Sequence, residues 1–212
     1  MKDFNISASL TFSNSMIRQE NLSDLRCNEL CRLLSEVDGN GVIVHSDILL
    51  NYLKEKYSNL YFVSSTTKVI VDFNKFVDEV NQNDFKYVVI DFRLNKAFAE
   101  LQNLNQIQKD KVEFLCNECC WIGCKDRKKC YETVSIQNLG IDCADHVCQA
   151  PDSNEGYRFS KAMQNPSFIS KSDILQAYVP MGFSNFKIEG RDLGNALLLE
   201  FILYYMVKPE YQ

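Results

Sequence analysis

The chain has 212 residues, of which 46% are hydrophobic and 24% charged, which is the composition of a globular protein with a sizeable core. Its net charge of -5, without an extended basic stripe, leaves no electrostatic footprint for duplex nucleic acid. The longest apolar run, 196–207, contains Glu200 and is shorter than the roughly 20 residues that cross a bilayer. The first residues lack the pattern of a secretory signal. These features predict a cytoplasmic protein without a membrane partner or a duplex nucleic-acid partner.

Short apolar segments alternate with longer segments of helical periodicity, and no Pro/Gly-rich linker interrupts them. The segments that we interpret as strands are NISASLTFS (5–13), GVIVHS (41–46), LYFVSST (60–66), KYVVIDF (86–92), KVEFLCN (111–117) and FSNFKIEG (183–190). Asn21, followed three residues later by Asp24, is typical of a helix start. The run 191–207 is typical of a closing core helix.

This alternation predicts an α/β fold. Continuous apolar strands separated by single helices form parallel sheets, because parallel neighbours need a crossover connection. A closed eight-stranded barrel typically takes about 250 residues, so we predict a TIM-barrel-like parallel sheet that is incomplete, with about six strand–helix units. An open doubly wound sheet is the alternative. We expect a single domain over 1–212 and a homodimer formed through the exposed edge of the incomplete sheet.

Polar residues follow each predicted strand. They are Ser13 and Asn14, His45 and Ser46, Ser64 and Ser65, Asp91 and Arg93, Asn117 and Glu118, and Glu189 and Arg191. In parallel α/β folds the carboxyl ends of the strands converge on one face, where sites are built. The serines have a simpler interpretation as caps of the following helices. The charged residues need pairing or solvent, and the rim of a cleft supplies both.

Seven of the nine cysteines lie in the segment 116–148, which we predict to be a metal-binding insert. Thiolates select iron–sulfur clusters, zinc or copper. The spacing of Cys116, Cys120 and Cys124 is close to the CxxxCxxC motif of radical S-adenosylmethionine enzymes, but position 123 is Gly, so that family is rejected. A zinc site is the alternative, with Cys143, His146, Cys148 and one upstream thiolate as ligands.

The segment FKIEGR (186–191), which follows FISKSDILQAYVPMG (168–182), resembles the C-terminal signature of the collagenase-like peptidase U-32 family. The upstream NECCWIGCKDRKKCYE (117–132) is similar to the cysteine segment of that family, and the resemblance covers about residues 85–207. It implies a TIM-like barrel with a [4Fe-4S] cluster. It also implies a role in oxygen-independent hydroxylation or, for other members of the family, peptidase activity.

The resemblance implies Cys120, Cys124 and Cys148 as cluster ligands, with Cys143 or Cys130 as the fourth. It also places Glu189 and Arg191 beside the cluster. The leading hypothesis is therefore an iron–sulfur protein that holds a small-molecule or peptide substrate against four catalytic residues. These are Glu189, Arg191, Asp91 and Arg93.

Two other functions remain open. A peptidase could use a pair such as Cys119 and His45, although the chain has neither a GxSxG elbow nor an HExxH motif. A binding protein without catalytic activity could instead use zinc to attach the segment 116–148 to the rest of the fold.

Overall fold

The computed structural model describes residue 4, residues 6–190 and residues 193–211. Within these residues the chain forms strands that alternate with helices. The strands are β1 Ser9–Phe12, β2 Gly41–Val44, β3 Tyr61–Ser64, β4 Tyr87–Val89, β5 Val112–Leu115 and β6 Asn185–Lys187. Each lies inside one of the predicted apolar segments.

The helices fill the intervals between the strands. They are α1 Leu25–Ser35, α2 Asp47–Lys56, α3 Phe73–Asn81, α4 Phe98–Leu101, α5 Gln106–Lys109, α6 Arg127–Asn138, α7 Phe159–Gln164, α8 Lys171–Asp173 and α9 Asn195–Met206. A π-helical turn, Ile174–Tyr178, continues α8. Among the described residues no helix is both long and apolar enough to cross a membrane.

The six strands form one sheet in the order β1-β2-β3-β4-β5-β6. The pairs β1–β2, β2–β3, β3–β4 and β5–β6 are parallel, and the N–H of Ile90, just after β4, donates to the carbonyl of Glu113 in β5 at 3.1 Å. Sequential neighbours are characteristic of a singly wound, barrel-type sheet, whereas a doubly wound sheet reverses its order. The predicted α/β class, with a parallel TIM-barrel-like sheet of about six units, is confirmed.

The start of the first helix differs from the prediction. The side chain of Asn21 accepts a hydrogen bond from the N–H of Arg18 at 2.7 Å, within a 3-10 turn, Gln19–Ser23. Asp24 caps α1 instead, because its carboxylate accepts from the N–H of Cys27 at 2.7 Å. Asn21 and Asp24 both have side chains that can cap a helix. The three-residue spacing therefore did not indicate that Asp24 is the cap.

The chain divides into two compact units. Unit 1 consists of Met1–Val69, Asn81–Val88 and Lys125–Val147, and unit 2 consists of Ile70–Val80, Val89–Cys124 and Cys148–Gln212. Neither unit is one continuous stretch of chain. The expectation of a single domain stays a prediction.

The predicted closing helix is present as α9, which packs within unit 2. Phe201 on α9 is fully buried against Ala162 of α7 and Phe168. Aromatic rings surround it, with the rings of Tyr157 and Phe159 at 6.0 and 5.0 Å from that of Phe201. This cluster fixes the segment that carries Tyr157 next to the carboxyl ends of β5 and β6.

Candidate metal centre

Asp91 and Arg93, two of the predicted catalytic residues, form an ion pair with each other. Nε of Arg93 lies 2.7 Å from Oδ1 of Asp91, and Nη2 lies 2.8 Å from Oδ2. Asp91 is only 2% exposed. The third guanidinium nitrogen, Nη1, donates to the carbonyl of Cys124 at 3.1 Å. The pair therefore attaches the end of β4 to the cysteine-rich loop.

The chain that leaves β5 is attached to the chain that leaves β6 by the side chain of Asn117. Its Nδ2 donates to the carbonyl of Glu189 at 2.9 Å, and its Oδ1 accepts from the N–H of Glu189 at 2.7 Å. Asn117 is fully buried, and its own carbonyl accepts a hydrogen bond from the hydroxyl of Tyr157. These bonds hold Glu189 beside residue 118.

Glu118 organises the turn that follows. Its Oε1 accepts from the N–H groups of Cys119 and Cys120, both at 3.0 Å. Nδ2 of Asn165 bonds the carbonyls of Glu118 and Cys120 at 3.2 and 2.9 Å. Glu118 is 3% exposed, so this carboxylate and this turn have a defined position.

These contacts bring three potential ligands of two types together. A carboxylate oxygen of Glu118, the thiol of Cys119 and a carboxylate oxygen of Glu189 all lie within 4.8 Å of one another. This is the one such group of His, Cys, Asp and Glu side chains among the described residues. All three belong to unit 2 and lie at the carboxyl ends of β5 and β6, on the rim where parallel α/β proteins build their sites.

The surroundings raise the pKa of the Cys119 thiol well above its ordinary value of 9.0. The first cause is a hydrogen bond with Cys120, followed by burial and by the charges of Glu189 and Glu118. Burial, then the charges of Cys119, Glu189 and Glu118, raise the pKa of Tyr157. The group thus places two carboxylates beside a partly buried thiol, whose proton a metal ion has to displace when it binds.

The five cysteines predicted as metal ligands fall in both units. Cys120, Cys124 and Cys148 belong to unit 2, whereas Cys130 and Cys143 belong to unit 1. Cys148 is exposed, and the thiol of Cys143 lies 3.9 Å from the carbonyl of Thr133. Their role as ligands stays a prediction.

The donor set of the group fits some metals better than others. Two carboxylates and one thiolate suit borderline divalent ions such as Zn²⁺ and Fe²⁺. A [4Fe-4S] cluster requires four thiolates, and Glu118, Cys119 and Glu189 supply one. The iron–sulfur prediction therefore depends on other cysteines of the insert.

Three residues of the FKIEGR segment have structural roles in the described part of the chain. The Phe186 ring stacks on that of Phe114 at 6.0 Å, and Lys187 pairs with Glu113 at 3.3 Å. A Cβ at Gly190 would collide with the side chain of Leu198. Arg191, the last residue of the segment and the fourth predicted catalytic residue, lies outside the described residues.

Comparisons of this chain with protein-family models, curated proteins and solved structures return no match. The resemblance to the collagenase-like peptidase family therefore remains a prediction that depends on the residues quoted for it.

Sequence reasoning placed Glu118 and Glu189 at strand ends but missed Cys119 as a metal donor. It placed Asn117 at a strand end without assigning it a supporting role, and it missed the supporting residues Tyr157 and Asn165. The available signal for Asn117 was its position between a buried strand and Glu118, where a polar side chain must be hydrogen-bonded.

Proposed function

We propose that this protein binds a divalent metal ion, Zn²⁺ or Fe²⁺, through Glu118, Cys119 and Glu189. The observation that carries the proposal is the convergence of their three donor atoms within 4.8 Å. Zinc–sulfur and zinc–oxygen bonds of about 2.0–2.3 Å place neighbouring donors roughly 3.3–3.7 Å apart. The donors therefore have to approach one another by no more than about 1.5 Å when an ion binds.

The residues around the group support a metal centre. Mutation of the side chains that orient metal ligands typically lowers metal affinity about 10–100-fold. Asn117 holds the backbone of Glu189 through two hydrogen bonds, and Asn165 holds the carbonyls on both sides of Cys119. The loop therefore pays little conformational entropy when an ion binds.

Three protein donors leave one position of a four-coordinate ion open. Catalytic metal sites keep such a position for water or substrate, whereas structural sites are closed by four protein ligands. The proposed substrate is a small molecule or a peptide that reaches this position, with Asp91 and Arg93 supporting the adjacent loop. A metal-dependent enzyme is the function that follows from an open centre.

A second candidate is the iron–sulfur protein implied by the U-32 resemblance. The thiols of Cys119 and Cys120 interact directly, and Cys124 and Cys148 belong to the same compact unit. The resemblance implies Cys143 or Cys130 as the fourth ligand, and with Cys119 in that place unit 2 alone supplies the four thiolates that a cubane cluster needs. Such a cluster would supply electron transfer, the chemistry that oxygen-independent hydroxylation requires. Either centre keeps its thiolates best in the reducing cytoplasm, which we propose as the location.

We also propose a homodimer formed through a sheet edge. In the order of the strands, β1 and β6 are the outermost. An outermost strand offers unpaired backbone groups that a second copy can pair with.

Metal analysis after purification without oxygen tests the proposed centre. We expect about one zinc or iron per chain and no labile sulfide. Cys119→Ser and Glu189→Gln should each remove most of this metal, because each deletes one of three donors. Cys27→Ser is the matched control, since Cys27 is an exposed thiol in unit 1, and it should leave the metal content unchanged.

Other outcomes separate the candidates. About four irons and four sulfides per chain, lost in Cys120→Ser and Cys124→Ser, would replace the mononuclear centre by the iron–sulfur cluster. Zinc that survives Cys119→Ser and Glu189→Gln but is lost in Cys143→Ser would favour the zinc-attached binding protein. Peptide hydrolysis by the metal-free protein would favour the thiol peptidase.

A further inference from the structure

Unit 1 contains a second polar site, which the metal centre does not use. It is a cavity of about 180 Å³ where the chain leaves β1, β2 and β3 and meets α6. Its lining includes Ser15, His45, Thr67, Lys128 and Glu132. The cavity lies beside the carboxyl ends of three strands, which is where parallel α/β proteins bind small molecules.

A chain of hydroxyl groups fixes the tautomer of His45. Nδ1 of His45 lies 2.8 Å from Oγ1 of Thr67. That hydroxyl is in turn within hydrogen-bond distance of Oγ of Ser65 at 2.9 Å and of the carbonyl of Ser13 at 3.4 Å. The Thr67 hydroxyl donates its one proton to Ser65, so it accepts from Nδ1–H of His45. Nε2 is then left with a lone pair.

The imidazole stays neutral at physiological pH. Burial lowers the pKa of His45 below its ordinary value of 6.5, and the charges of Lys68 and Lys128 lower it further. Asp47 and Glu132 act in the opposite direction. A neutral ring with Nδ1 protonated presents an acceptor to a ligand.

Opposite charges line the same cavity. Lys128 and Glu132 both belong to α6 and both contribute to the lining. Among the residues that the structure describes, neither side chain forms an ion pair within 4.0 Å. A ligand with one anionic and one cationic group can therefore pair with both.

The wall that carries these charges is fixed to the strand end. Nδ2 of Asn14 donates to the carbonyl of Ser135 at 2.8 Å, and the N–H of Ser15 donates to Oγ of Ser135 at 3.0 Å. Ser135 is buried on α6. The cavity is thus formed in advance, which lowers the entropy cost of binding.

We propose that this cavity binds a small zwitterion of the amino-acid class. Lys128 pairs with its carboxylate, Glu132 pairs with its ammonium group, and Nε2 of His45 accepts one ammonium proton. The volume of about 180 Å³ is smaller than the roughly 300–1,000 Å³ of pockets that hold drug-sized ligands, so the ligand is small, such as glycine, alanine or serine. This site is independent of the proposed metal centre.

Titration with L-serine, followed by NMR of the imidazole signals, tests the proposal. The chain has two histidines, so His146 serves as an internal control. L-serine should shift the His45 signals without shifting those of His146, and should bind at least about tenfold more tightly than lactate or ethanolamine, each of which lacks one charge. Affinity should be constant from about pH 6.5 to about pH 7.5, where the ligand keeps its ammonium group, and should fall at lower pH as His45 gains a proton and loses its acceptor.

Variants on α6 give the matched comparison. Lys128→Gln and Glu132→Gln should each weaken serine binding at least about tenfold. Lys129→Gln, which removes a neighbouring lysine whose partner is Asp126 at 3.2 Å, should change it by less than about twofold. The proposal is overturned if glycine, L-alanine and L-serine all leave His45 unshifted. It is also overturned if lactate binds as tightly as serine, or if the three variants behave alike.

Discussion

Single residues decide what the carboxyl ends of the strands can do. Asn117 is one example, because its amide satisfies both backbone groups of Glu189 and so positions a carboxylate 72 residues away in the sequence. Asp91 is another, because its carboxylate is buried but fully engaged by Arg93. Both were recognisable as polar strand ends. The hydrogen-bond partners of these two residues were not recognisable, because sequence spacing does not show which distant group a buried amide or carboxylate contacts.

The buried ion pair gives a prediction at this scale. Arg93→Ala removes the partner of a carboxylate that is 2% exposed, and leaving such a charge uncompensated costs about 3 kcal/mol. We expect the free energy of unfolding in urea to fall by about that amount.

Arg158→Ala provides the matched control. Arg158 pairs with Glu155 at 3.1 Å in the same unit, but both side chains are more than half exposed, so the loss should stay below about 1 kcal/mol. Equal losses in the two variants would show that the Asp91 pair contributes no more than a surface pair.

For individual strands and helices, the local hydrophobic pattern predicted the kind of element well. It predicted the ends of the elements and the paths of the loops less well. Continuous apolar runs predicted the strands because both faces of a parallel sheet are buried. The expected caps were less certain: Ser65 accepts from the N–H of Thr67 at 3.3 Å, whereas Ser46 forms no capping bond. The path of the cysteine loop depends on Asn165, 45 residues beyond Cys120. No periodicity encodes such a contact, so the sequence did not indicate which thiol joins Glu118 and Glu189.

The pairing of β2 with β3 gives the prediction for this scale. Gly41 faces Tyr61 across the ladder, and a Cβ at Gly41 would lie 2.6 Å from Cδ2 of the Tyr61 ring. Gly41→Ala should therefore lower the free energy of unfolding by about 2 kcal/mol, because the ring has to move.

A double-mutant cycle with Tyr61→Ala tests whether the Tyr61 ring causes the loss of stability in Gly41→Ala. Removing the ring removes the collision, so the two changes together should cost at least about 1 kcal/mol less than the sum of their separate costs. Additive losses would mean that Gly41→Ala acts through something other than the ring.

For the whole molecule, the sequence predicted the sheet type and number of strands but not the division into two compact units. Successive strands that alternate with helices usually become neighbours in a sheet, and the sequence pattern shows that alternation. Compact units depend on which distant segments touch, and α6 illustrates the difficulty: it follows the cysteine loop of unit 2 but belongs to unit 1. This contact pattern is set by tertiary packing.

The proposed dimer can be tested by its mass in solution. The N–H of Gly41 donates to the carbonyl of Ala8, and the alternation of a parallel ladder then turns the N–H of Ser9 away from β2. We expect sedimentation to give a mass of twice 24.5 kDa, and Ser9→Pro, which removes that N–H, should yield monomers.

Ser9→Ala keeps the backbone donor and should stay dimeric. A monomer for the unaltered chain at every concentration would contradict the dimer. A dimer that persists in Ser9→Pro would show that the dimer interface does not include β1.

The interleaving of the two units bears on how the protein is made. The chain passes from one unit to the other at 69/70, 80/81, 88/89, 124/125 and 147/148. On the ribosome, unit 1 cannot be completed until residue 147 has emerged, and unit 2 must wait for α9. Synthesis at about 5–20 residues per second leaves the early strands incompletely packed for several seconds. The nascent chain therefore exposes apolar strands and thiols for much of its synthesis, and we expect chaperones to bind it during that time.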